Sequence, residues 1–69
     1  MSDRVYKKVE LVGTSKASIE DAIQNALTTA DQTLDHLDWF EVSEIRGHIS
    51  DGRVAHYQVV MKVGFRLDR

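Results

Sequence analysis

Leu37-Asp38-Trp39-Phe40-Glu41-Val42, followed by Ile45-Arg46-Gly47, is the stretch around which the rest of the chain is arranged. It carries the only tryptophan and lies where a helical apolar pattern gives way to an alternating one. Phe40 and Val42 stand two apart, as on the buried face of a strand, which turns Trp39 to the opposite, outward face. A large aromatic on the open side of a small sheet either fills a contact between subunits or stacks on a flat ligand. Beyond Val42 the apolar phase changes to Ile45 and Ile49. The strand from Phe40 to Ile49 is therefore expected to be bent or bulged, or covered by a different partner at each end.

Downstream, Ser50-Asp51-Gly52-Arg53 reads as a hairpin turn of the Asp-Gly kind. Val54 to Leu67 is the third strand, with apolar residues at every odd position from Ala55 to Leu67. It is long for a strand, so one end should run beyond its own sheet. A two-residue loop at Asp51-Gly52 places Phe40 opposite Val63 and Val42 opposite Met61 on the helix side. On the outer side it places Trp39 opposite Gly64, Glu41 opposite Lys62 and Ile45 opposite Gln58, with Gly64 leaving open space beside the indole. Trp39 and Gln58 then share a face but lie roughly 20 Å apart along the strand. One small ligand touching both would take them from different subunits.

Upstream, Ser18 is a helix N-cap with Asp21 as an acidic variant of the capping box. Ile19, Ala22, Ile23, Ala26, Leu27, Ala30, Leu34 and Leu37 follow a helical period, which predicts one long helix reaching Leu37. Asp31, Asp35 and Asp38 would lie late in it, where carboxylates oppose the dipole. Val5 to Val12 is the first strand, with Val5, Val9 and Leu11 on one face and Tyr6, Lys8, Glu10 and Val12 on the other. Gly13-Thr14-Ser15 is expected as its exit turn, and it lacks the glycine repeats of a phosphate-binding loop.

The order is β-α-β-β, an α+β fold with a three-stranded antiparallel/mixed sheet packed on one long helix. A right-handed crossover makes the first two strands parallel and places the third between them, antiparallel to both. The outer face would carry Trp39, Ile45, Ile49, Val54, Gln58 and Val60, too apolar a set for water, which points to assembly.

With 69 residues the chain is expected to form a single domain, 1–69, marginal as a monomer. It has no cysteine, and His36, His48 and His56 show no ligand-like spacing with nearby acids, so no metal site is expected. Oligomerisation is the remaining source of stability. A net charge of −2 with interspersed signs gives no basic stripe, so no nucleic-acid partner is expected. No apolar run reaches membrane-spanning length, and Met1-Ser2-Asp3-Arg4 does not open a signal peptide, so a cytoplasmic protein is the default. Neither a cysteine nor a serine–histidine constellation supports an enzyme, and Asp38 and Glu41 lack a neighbouring base.

Val9-Glu10-Leu11-Val12-Gly13-Thr14-Ser15, Leu37 to Val42, Ile45-Arg46-Gly47, Tyr57-Gln58-Val59 and Met61 to Leu67, in this order and spacing, resemble the bacterial branch of the dodecins. The resemblance covers about Val5 to Leu67. It implies a hollow homododecamer that binds flavin in pairs at subunit contacts and serves flavin storage and photoprotection rather than turnover. By position, Trp39 would be the stacking tryptophan, Gln58 the glutamine on the isoalloxazine edge and Arg46 an arginine near the ligand. FMN is the implied cofactor, with riboflavin and coenzyme A as further ligands the resemblance allows. Tyr6, Lys7 and His48 are candidates for a phosphate tail, set against plain solvated surface. The competing reading is an oligomeric scaffold in which Trp39 plugs an interface.

Overall fold

Asp51 and Gly52 both take positive φ, 53° and 74°, as a two-residue type I′ loop requires. The computed structural model describes residues 3–67; Met1 and Ser2 of the N-terminal stretch weighed above, with Asp68 and Arg69, lie outside the described residues. Its elements are β1 (Val5–Ser15), α1 (Ile19–Asp31), β2 (Leu37–Ser50) and β3 (Arg53–Leu67). The sheet order is β1-β3-β2 with both outer strands antiparallel to β3, the expected β-α-β-β arrangement.

The register agrees with the expected one at Trp39↔Gly64, Phe40↔Val63, Glu41↔Lys62 and Val42↔Met61. It then shifts between Val42 and Glu44, where Ser43 is the extra residue of a bulge. Beyond it Ile45 lies opposite Val59 and Arg46 opposite Gln58, in place of the expected Ile45 opposite Gln58. A second irregularity between His48 and Ile49, absorbed by Ala55 on β3, restores the hairpin register at Ile49↔Val54. The change of apolar phase along β2 is thus taken up by the bulge. Ile45 stays on the helix side with Phe40 and Val42, and the outer face is more polar than expected.

Gly13-Thr14-Ser15 forms no exit turn; it continues β1, with Gly13 opposite Val59 and Ser15 opposite Tyr57. The glycine serves close packing, because a Cβ at Gly13 would overlap the carbonyl oxygen of Ala22 on α1. Ser18 caps α1 as expected, its Oγ accepting from the Asp21 N–H at 3.0 Å. The reciprocal half of the capping box is replaced: the Asp21 carboxylate accepts from Ser15 Oγ at 2.7 Å, and Ser15 Oγ accepts from the Ala17 N–H at 2.9 Å.

The helix ends at Asp31, well short of Leu37. Its last turn has no basic residue, and Asp31 and Asp35 would set carboxylates against the negative end of the dipole. The Gln32 and Thr33 N–H groups bond three residues back, to Thr29 and Ala30, which tightens the exit. His36 at φ 63° then turns the chain into β2. Asp38 and Leu37 therefore belong to β2, and Leu37 reaches the core from the sheet.

Ala22, Val59, Met61 and Val63 are buried between α1 and the sheet, with Val9, Leu11, Ile23 and Leu27 packed around them. The helix lies over β1 and β3. On β2, Phe40, Val42 and Ile45 remain 44%, 41% and 57% exposed on the same side. The radius of gyration is 14.4 Å, against roughly 11 Å for a compact domain of this length. The chain is a plate, 56 × 21 × 13 Å, with an apolar strip left uncovered.

Replacing Gly13 by alanine is expected to cost about 1–3 kcal/mol through overpacking against the α1 backbone. Urea unfolding at fixed protein concentration reads it. An unchanged midpoint would show that α1 simply moves away.

Candidate functional site

One row across the outer face reads Lys8 on β1, Gly64 on β3 and Trp39 on β2. The six-membered half of the indole lies across Gly64, where a Cβ would collide with three of its ring carbons. Gly64 is therefore the floor under the tryptophan, rather than open space beside it. Tyr6 meets the indole edge-on, with ring centroids 5.2 Å apart and planes at 71°. The indole N–H donates to Glu41 Oε1 at 3.3 Å, and Lys8 Nζ donates to the same oxygen at 2.7 Å. So held, Trp39 still leaves 37% of its surface exposed.

The Lys8 hydrogen bond, followed by that of the Trp39 indole and the charge of Lys8, holds the Glu41 carboxyl below its ordinary value. Both side chains stand in water, so the pair contributes little to stability. Its effect is directional: it fixes where the indole N–H points. Lys8, Glu41 and the support from Tyr6 went unread in the sequence. The signal was there, since combining the β1–β3 and β2–β3 registers puts Lys8 and Trp39 on either side of Gly64.

A second cluster forms past the bulge. Gln58 lies between Thr14 on β1 and Arg46 on β2, on the same outer face as Trp39. Arg46 approaches Glu44 at 3.9 Å, an exposed and loose pair that leaves the guanidinium fork available. The Gln58 amide makes no hydrogen bond with the described residues and can present donor and acceptor in one plane. The bulge is what turns Arg46 outward beside it. Six strand steps along β3 separate Gln58 from Gly64, roughly 20 Å, so one chain does not bring Trp39 to Gln58 and Arg46.

Tyr6, Lys7 and His48 do not converge. Tyr6 lies beside Trp39, Lys7 is opposite Phe65 on the helix side, and His48 is opposite His56 near the hairpin. A groove of about 550 Å³ runs between the β1 edge and α1, lined by residues such as Val12, Asn25 and Thr33, away from the tryptophan. Among the described residues no group of three or more His, Cys, Asp or Glu could hold a metal, and no helix is long and apolar enough to cross a membrane.

The family model described as Dodecin matches residues 5–68. A dodecin from Thermus thermophilus is 65% identical over 65 residues, 94% of each chain. Among solved structures, the tt0972 protein from Thermus thermophilus aligns at a TM-score of 0.93 and 63% identity, covering 97% of this chain and 98% of its own. The dodecin from Streptomyces coelicolor also aligns at a TM-score of 0.93, with 54% identity and 100% and 99% coverage.

Because its carboxyl is held low, Glu41 keeps its bonds to Lys8 and the indole above the ordinary carboxylate range and loses them as the pH falls through its depressed value. Trp39 is the sole tryptophan, so its emission should change in that acid range. Glu41→Gln should flatten the acid step. A step that survives in this variant would assign the change to another group.

Proposed function

The chain belongs to the dodecin family, and on that premise we propose that it binds FMN without turning it over, as a flavin store that also protects against light. In this reading the isoalloxazine stacks on Trp39 at a contact between subunits of a hollow homododecamer in the cytoplasm. Gln58 of a neighbouring subunit meets the pyrimidine edge, and Arg46 offers a planar charged fork to a carbonyl or the phosphate.

The observation that carries the reading is the division of the outer face. A braced, half-open indole sits at one end and an amide with no hydrogen-bond partner among the described residues, beside an outward arginine, at the other, roughly 20 Å away. No single flat ligand spans both in one chain, so the two halves are brought together by assembly. The uncovered strip of Phe40, Val42 and Ile45 supports that assembly independently.

Side-chain chemistry fits flavin. Stacking of an electron-poor ring system on indole contributes on the order of 0.5–1.5 kcal/mol beyond area burial. Flavin, when bound, supplies a light-absorbing ring system with a reactive excited state. Trp39 is an electron donor in stacking contact and can quench that state before side reactions. No group among the candidate residues is placed as a nucleophile or a general base, in keeping with storage rather than catalysis.

Titrating FMN into the purified protein should quench flavin and Trp39 emission together, to a fixed stoichiometry. Trp39→Ala should weaken FMN by roughly 30-fold or more, the scale of a lost aromatic anchor, with the oligomer intact by native mass spectrometry. Riboflavin and coenzyme A, run in parallel, report the ligand preference. If FMN changes neither signal and Trp39→Ala dissociates the oligomer, the tryptophan is an interface plug and the protein a scaffold.

A further inference from the structure

Two of the three register irregularities of the β2–β3 hairpin bracket a pair that the sequence keeps apart: His48 and His56 lie directly opposite each other on the outer face. Their imidazoles are 5.4 Å apart between centroids and within 13° of parallel. His48 is exposed and His56 half-buried. Neither ring makes a hydrogen bond or ion pair with the described residues, so their ring nitrogens are open to another partner.

Two imidazoles bound to one ion at metal–nitrogen bonds of about 2.0–2.1 Å hold their ring centres roughly 5 Å apart. The observed centroid spacing already matches that, but the rings are stacked, so the exposed His48 ring must turn out of the stack for a nitrogen of each ring to face one ion. We propose that His48 and His56 form a two-imidazole clip for a borderline divalent transition ion of the zinc, copper and nickel class.

The ligand set selects the ion. Imidazole nitrogens suit Zn²⁺, Cu²⁺ and Ni²⁺, whereas Ca²⁺ and Mg²⁺ call for oxygen ligands. Among the described residues no third His, Cys, Asp or Glu joins the pair. The remaining coordination positions therefore belong to water or to a second copy of the chain. Beside His56 an open hollow of about 310 Å³, lined also by Thr14, Ser15 and Lys16, gives a hydrated ion room. The clip adjoins the Arg46–Gln58 row, one outward step along the strands, but shares no residue with it. It is a separate site and stands whether or not the protein binds flavin.

Calorimetry with Zn²⁺ alone, on the purified protein without flavin, should show a saturable site. His48→Gln and His56→Gln should each weaken it by at least the roughly 10–100-fold that loss of an outer-shell partner costs. His36→Gln should leave it unchanged. Both sites of substitution are on the sheet surface, and circular dichroism checks that each variant folds. With Cu²⁺ as a second probe, electron paramagnetic resonance should show two equivalent nitrogens in the parent and one in each single variant. A double His48→Gln, His56→Gln variant that binds Zn²⁺ like the parent overturns the proposal, as does a Cu²⁺ spectrum without the two-nitrogen pattern.

Discussion

One extra residue in β2 decides which side chains share a face. Between Val42 and Glu44 the strand carries Ser43 as a bulge, and the register recovers only at Ala55 on the partner strand. In the segment between, every β2 side chain is displaced by one place relative to a regular hairpin. A one-place slip exchanges the two faces of a strand. The bulge therefore keeps Ile45 over the helix side and sends Arg46 outward beside Gln58. The same displacement sets His48 against His56. The hairpin turn at Asp51-Gly52 fixes the outer frame, and the bulges determine what that frame displays.

The packing explains why such a plate does not stand well alone. A thirteen-residue helix spans about 20 Å and covers two strands of a sheet whose hairpin runs much further. Ala22 and Gly13 let helix and sheet meet at backbone distance, so the core is tight but narrow. Phe40, Val42 and Ile45 are left half-open, each offering on the order of 1 kcal/mol if a neighbour covers it. Against the marginal stability of a domain this size, that is a substantial incentive to associate.

The fold was legible because its signals are local and mutually consistent. The Asp-Gly turn, the alternation of β3, the Ser18 cap and the apolar period from Ile19 to Ala30 all point one way. Misreadings occurred where one residue type serves two ends. Gly13 reads as a breaker, yet its missing Cβ makes room for Ala22 within a continuing strand. Leu34 and Leu37 extend the helical period, yet the carboxylates and the exit at His36 end the helix first. At the site, Trp39 and its outward face were readable from parity alone. The place of Arg46 was not, because a bulge leaves only a change of phase, which a bend would also leave. Glu41 and Lys8 required both strand pairings at once.

In the proposed reading, the tryptophan is half of a binding site that is already organised. Its floor is Gly64, its edge meets Tyr6, and its N–H is directed at a carboxylate that Lys8 holds ionised. A side chain so constrained loses little rotamer freedom when a flat ligand stacks on it, so less of the stacking energy is spent on ordering. The polar half, Gln58 and Arg46, lies beyond the reach of the same ligand in the same chain. A ligand that touches both halves bridges two subunits, and it binds the assembled state in preference to the separated one. By linkage it must then stabilise the contact that creates its own site, and the contact must in turn tighten the ligand by the same factor.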